Sequence, residues 1–119
     1  MDIFCKIVKG DIPSKVLYED ELVMVIMDVN PTSNGHSLII PKEHYQDLFD
    51  IDKEVLNHIM EVAKEMVSKL EERLGCEGIT LIQNNGISQE VKHFHLHLVP
   101  KYNSSKKISI DEVFHKIVD

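Results

Sequence analysis

Basic residues are in short supply: 13 lysines and arginines stand against 20 aspartates and glutamates, a formal charge of −7. Such a surface repels polyanions at long range, so neither a nucleic-acid polymer nor an anionic membrane is an expected partner. Any phosphate must be held locally, which suits a small nucleotide in a pocket. Long hydrophobic runs are also missing, since nothing approaches the ~20 apolar residues of a membrane span. The opening MDIFCKIVKGD lacks the layout of a secretory signal, and a cytoplasmic location is the expectation. Cysteine is scarce too. Cys5 and Cys76 form no motif and in that compartment read as two reduced thiols rather than a disulfide. No repeat, low-complexity stretch or linker interrupts the 119 residues, so a single domain over 1–119 is expected, with 43% apolar content to build its core.

What is present begins with alternation. Val16 to Tyr18 and Leu22 to Met27 read as short strands around the acidic turn Glu19-Asp20-Glu21. Turn formers fill Asn30 to Gly35, and Ser37 to Ile40 is a third strand ended by Pro41. Asp52 is placed to cap a long helix whose apolar positions, from Val55 to Leu74, follow helical spacing until Gly75 stops it. Its two apolar stripes suit either ordinary core packing or a sheet on one side and a neighbouring subunit on the other. Ile79 to Gln83 and Val91 to Val99 read as a hairpin joined through Asn84 to Glu90. Ser109 and Glu112 have capping-box spacing before a short helix reaching about Val118. The fold class is α+β: a mainly antiparallel sheet of about five strands with one long and one or two short helices.

The chemistry concentrates in HFHLHLV. An extended chain sends alternate side chains to opposite faces, so His93, His95 and His97 share one face while Phe94, Leu96 and Leu98 take the other. Histidine is an uncommon choice for a merely wet face, and this row points to a site. The outer two lie roughly 13 Å apart along such a backbone, too far for all three to converge on one tetrahedral ion. A row of imidazoles matches a phosphate better, offering a nucleophile flanked by hydrogen-bond donors. Neutral imidazole is a competent nucleophile near pH 7, its ordinary pKa being about 6.5.

His-apolar-His-apolar-His-apolar-apolar resembles the signature of the histidine triad (HIT) superfamily of nucleotidyl hydrolases and transferases. Ile3 to Ile7, Ile12 to Lys15, Met27 to Pro31 and Gly35 to His44 resemble its bacterial Hint-like branch in order and spacing. The resemblance runs from Asp2 to about Tyr102 and leaves 103–119 as a tail. It implies that His95 is the nucleophile, that His97 stabilises charge on the phosphoryl oxygens, that His93 orients the triad strand, and that His36 is a fourth active-site histidine. It further implies that Asp28 accepts from the ribose hydroxyls. Ile3, Phe4, Ile7 and Val29 become walls around the base, although composition alone would put all four in the core. Asn84 and Gln89 are implied near the sugar-phosphate, Asn84-Asn85-Gly86 otherwise reading as a turn. His58 and His115 match nothing and read as surface residues.

Two departures from the family pattern stand out. Ile87-Ser88-Gln89-Glu90-Val91 is about two residues shorter than usual, lacks the glycine, and puts Glu90 where a serine or threonine hydroxyl would donate to phosphate. Glu90 therefore points outward, meets a cationic leaving group or slows turnover. The second departure concerns a structural zinc that many bacterial relatives hold. Cys5, His44 and His93 match three of its ligands, with Asp2 in place of the first cysteine, a weaker zinc partner than thiolate. Catalysis itself requires no cofactor, and zinc is left open.

The resemblance thus implies a homodimeric nucleotide hydrolase that cleaves purine nucleoside phosphoramidates or related AMP conjugates through a nucleotidyl-histidine intermediate. Alternatives are a dinucleoside polyphosphate hydrolase of the Fhit-like branch, which Val91-Lys92-His93 faintly favours, and a nucleotide-binding module with little turnover, which Glu90 favours. A sugar-nucleotide transferase is less suited to a chain of this length.

Overall fold

The computed structural model describes all residues from Met1 to Asp119. Five strands, β1 (Val16–Glu19), β2 (Val23–Met27), β3 (Ser37–Pro41), β4 (Gly78–Ile82) and β5 (Leu96–Lys101), form one sheet in the order β1-β2-β3-β5-β4. Every neighbouring pair is antiparallel. Three helices accompany them: α1 (Ile3–Lys9), α2 (Lys53–Leu74) and α3 (Ile110–Val118). The fold is therefore α+β, with one long helix and two short ones. No helix is long and apolar enough to cross a membrane.

Strand β2 shows how the sheet is sandwiched. All five of its residues are buried, so both faces are covered. Val23, Val25 and Met27 join Ile39, Leu96 and Leu98 in a core closed by α2 and α3 through residues such as Ile59, Met66, Leu70 and Ile117. Met24 and Ile26 face the other way, where Leu38, Ile40 and Phe4 of α1 make a smaller cluster. Each fully buried aliphatic or aromatic side chain contributes roughly 1.5–3 kcal/mol. On β5 the alternation puts Leu96 and Leu98 toward α2 and leaves His97 on the α1 side, so the histidines occupy the face that the short helix only partly covers.

The helix ends are chemically specified. Asp52 accepts the Glu54 N–H, and Gly75, at φ 67°, donates its N–H to Glu71 O. Ser109 Oγ accepts from Glu112 N–H in the expected capping box. At Gly35, φ is +92° and an added Cβ would fall 2.5 Å from Leu74 Cδ1 and 3.2 Å from Pro100 Cγ, so this turn into β3 requires glycine.

Two elements differ from the sequence expectation. Helix α1 was not foreseen: its seven residues are too few to display a period, although Asp2 caps it by accepting Cys5 N–H at 2.8 Å and Gly10 ends it at φ 86°. Strand β5 begins at Leu96 instead of Val91. Pairing with β3 stops at Ile39↔Leu96 and with β4 at Ile82↔His97, so residues 91–95 have no strand beside them. Phe94 N–H instead donates to Tyr45 O in a loop, at 2.7 Å.

Candidate active site

Imidazoles and one phenyl ring line up along the α1 face. His36 and His97 have ring centroids 5.2 Å apart, and His97 and His95 4.9 Å. Phe4 packs edge-on to both His95 and His93, at 5.1 and 5.7 Å. His44 closes the row at 5.0 Å from His93. Beside the row lies a cavity of about 220 Å³, lined by His95, His97, Asp28, Ile3, Phe4, Ile7 and Val29. Ile3 and Val29 are substantially exposed, consistent with pocket walls and not with core.

The hydrogen bonds assign a proton to one nitrogen of each central ring. His95 Nδ1–H donates to the His93 carbonyl at 2.8 Å, which leaves the Nε2 lone pair unused. Thr32 N–H donates to His36 Nδ1 at 3.1 Å, so neutral His36 carries its proton on Nε2. That Nε2–H lies 3.0 Å from His97 Nδ1, which must then accept, putting the His97 proton on its own Nε2. Asp28 Oδ2 sits 3.4 Å from His36 Nε2, and Asp28 Oδ1 is held by Asn30 N–H. Burial pushes the pKa of His36 below the ordinary histidine value. His97 is lowered as well, first by burial and then by the neighbouring His95 and His36. Both rings stay neutral at pH 7, as the network requires. The pocket thus presents a lone pair from one imidazole next to an N–H from the other.

His93 stands apart from the cavity. Its side chain is fully buried, its Nε2–H donates to Pro41 O at 2.9 Å, and its Nδ1 faces Asp2 and Cys5. Its carbonyl is what reaches His95. Asn84 lines a second cavity of about 570 Å³, which meets the first along Asp28, Asn30, Glu90 and His97. Gln89 lines neither. It is buried as a brace, its amide donating to Gln46 O at 2.6 Å while its carbonyl accepts Gly86 N–H. His58 is half-buried rather than a surface residue, with Nε2 2.6 Å from Asp20 Oδ2; His115 is exposed. Sequence reasoning assigned no part to Ile12, Pro13 and Ser14, which line the first cavity, although they belong to a segment that carried the resemblance.

At the other end of the row, Asp2, Cys5, His44 and His93 bring one ligand atom each within 4.8 Å of one another. Cys5 Sγ is 3.5 Å from both His44 Nδ1 and His93 Nδ1, and Asp2 Oδ2 is 2.9 Å from His44 Nδ1. Ligands about 2.0–2.3 Å from a tetrahedral zinc stand roughly 3.3–3.7 Å apart, close to this spacing. The Pro41 carbonyl fixes His93 in the tautomer whose Nδ1 lone pair faces the cluster, the usual outer-shell arrangement for a metal-binding imidazole. The residues present fit zinc.

A five-strand antiparallel sheet with α1 and a row of histidines on one face, and α2 on the other, is the architecture of the histidine triad class. The chain belongs to the HIT family, whose HIT domain matches residues 9–104. It is 38% identical to an uncharacterized HIT-like protein of Methanocaldococcus jannaschii, over 98% of both chains. It is 40% identical to adenosine 5'-monophosphoramidase of Schizosaccharomyces pombe, over 91% of this chain and 80% of that one. Among solved structures, a zinc-bound histidine triad family protein from Mycobacterium smegmatis superposes with a TM-score of 0.89 at 34% identity, covering 97% of this chain and 88% of the other.

Proposed function

We propose that the protein is a nucleotide hydrolase that cleaves AMP conjugates, purine nucleoside phosphoramidates first among them, by way of a nucleotidyl-histidine intermediate. The observation that carries this reading is the locked tautomer of His95: a buried Nε2 lone pair beside a cavity, next to the Nε2–H of His97. The base lies between Ile3, Phe4, Ile7 and Val29, and Asp28 accepts from the ribose hydroxyls. His95 Nε2 attacks the α-phosphorus, the bond to the leaving group breaks, and His97 Nε2–H donates to a phosphoryl oxygen as charge builds there. Water then attacks the same phosphorus, and His95 departs as neutral imidazole with Nδ1–H still on the His93 carbonyl. His36 acts through His97, while His93 acts through its carbonyl. Asn84 flanks the leaving-group side. The kinship with a phosphoramidase supports the substrate class.

Zinc held by Asp2, Cys5, His44 and His93 belongs to the same reading. When bound it supplies a structural cross-link between α1 and the loop before β5, with no part in the transfer. A homodimer is part of it as well, through the exposed face of α2 and β4.

The experiment is release of AMP from adenosine 5′-phosphoramidate. The parent protein should turn over, His95→Ala should lose roughly 10⁴-fold or more, and rapid acid quench should trap AMP on residue 95. Nucleotide binding without turnover in the parent would replace the hydrolase with a binding module.

A further inference from the structure

The second cavity adjoins the base pocket along Asp28, Asn30, Glu90 and His97 and extends from there past His36, Asn84 and Lys101, none of which lines the first. A nucleotide with its base in the first cavity and its phosphorus at His95 has this second cavity open to its leaving group. Glu90 lies on the seam, lining both cavities together with Asp28, Asn30 and His97. It is exposed, and its carboxylate has no hydrogen-bond or ion-pair partner in the chain. Its one nearby cation in sequence is diverted: Lys92 Nζ donates to the Gly86 carbonyl at 2.6 Å. Asp28, the other acid on the seam, is engaged by Asn30 N–H and His36. Lys101 is the only lysine on the second cavity's wall, four residues beyond His97 on β5 and thus about 13 Å along the backbone. At His97 the seam feels the unneutralised Glu90 carboxylate, while the charges of Lys101 and Lys107 act on His36 farther along the wall.

We infer that this cavity is the leaving-group subsite and that Glu90 makes it select amines carrying positive charge near the scissile P–N bond, against anionic leaving groups. The inference rests on the hydrolase reading and narrows its substrate class. In the step concerned, solvent first protonates the bridging nitrogen. The P–N bond then breaks with its electron pair going to nitrogen as the bond from His95 Nε2 to phosphorus forms, and a neutral amine leaves. The protonated nitrogen is cationic until the bond breaks, and a fixed carboxylate beside it favours that charge. A phosphate or sulfate leaving group would place like charges together, at a cost that grows as water is excluded.

A matched pair of substrates separates charge from P–N chemistry: the N-(2-aminoethyl) and N-(carboxymethyl) phosphoramidates of AMP. The parent protein should favour the aminoethyl compound in kcat/KM by about tenfold or more. In Glu90→Gln and Glu90→Ser the ratio should fall to about one, with circular dichroism unchanged. An unaltered ratio in both variants, or a parent preference for the carboxymethyl compound, would overturn the inference while leaving the hydrolase intact. If the parent cleaves neither of these nor adenosine 5′-phosphoramidate, the hydrolase reading fails on its own. Competition of the two compounds against bound AMP then decides the question: aminoethyl preference that vanishes in Glu90→Gln sustains the charge selection, and equal competition in the parent ends it.

Discussion

Thr32 brings its backbone N–H to 3.1 Å and its hydroxyl to 3.4 Å of His36 Nδ1, and the N–H decides which nitrogen of two imidazoles carries a proton. By occupying His36 Nδ1 it directs the His36 proton to His97, and the His97 proton toward the pocket. His36→Leu removes the relay, and His97 becomes free to protonate on the wrong nitrogen. The expected result is a loss of about 100-fold in kcat, with the ¹⁵N shifts of the His97 ring reporting a change of tautomer. His36→Gln, whose amide can donate to the same nitrogen, should recover part of the rate. The pH dependence follows from the same burial. His36 and His97 have pKa values lowered by burial in the folded protein, whereas in the unfolded chain they take protons near 6.5. Between those values the unfolded state binds more protons, so stability rises with pH across that window. The contribution is fully present above pH 6.5 and is lost as pH falls through the lowered pKa values. Urea midpoints measured between pH 7.5 and 5 should fall with acidity, and the fall should be shallower in a variant with both rings replaced.

Among the elements, the turn between β1 and β2 is tied to α2 by a single carboxylate. Asp20 accepts Leu22 N–H and Val23 N–H on one oxygen, and Tyr18 O–H and His58 Nε2–H on the other. Partial burial opposes its ionisation, but the His58 and Tyr18 bonds and the two backbone donors outweigh it and hold Asp20 well below the usual carboxylate range. Asp20→Asn or His58→Ala should each cost about 1 kcal/mol in chemical denaturation, and the Asp20 contribution should disappear only as pH drops below 3.8. This contact also marks the limit of what the chain reveals before folding. Strands β1 to β3 and helix α2 were legible because each carries its own period and stop signal, from the alternation up to Met27 to Gly75 after Leu74. The triad, Asp28 and the apolar walls were legible through the family pattern. His58 was not, since its partner lies 38 residues away in sequence. The start of β5 depends on where β3 and β4 cease to flank it, and Gln89 faces inward onto Gln46 O, 43 residues away in sequence, so neither could be read from local residues.

At the scale of the whole molecule, α1 and its cap carry the cavity walls Ile3, Phe4 and Ile7 together with Asp2 and Cys5 of the four-residue cluster, so zinc and AMP, bound as proposed, would act on one short helix. Adding a chelator to the zinc-loaded protein should lower Tm and weaken AMP binding, and Asp2→Ala should lose the Tm response to zinc while Asp2→Cys strengthens it. The proposed dimer would use a different surface. Strand β4 is a sheet edge with one side unpaired, and Leu81 and Ile82 on it are 41% and 40% exposed. Beside it, Met60, Ala63, Val67 and Leu81 line a shallow apolar groove with Lys64 and Glu71 at its margins. An edge strand next to an apolar helix face is a liability unless covered. A second copy related by a two-fold axis near Val67 would place Lys64 of each copy beside Glu71 of the other, since the two lie three and four residues to either side of that point. Attraction across the axis thus favours self-pairing of this face. Met60→Glu with Leu81→Lys should convert a dimer to a monomer in sedimentation, and the charge reversal Lys64→Glu should weaken the dimer unless Glu71→Lys is introduced with it. A protein that sediments as a monomer at every concentration, or a double reversal that fails to restore association, would exclude the two-fold arrangement.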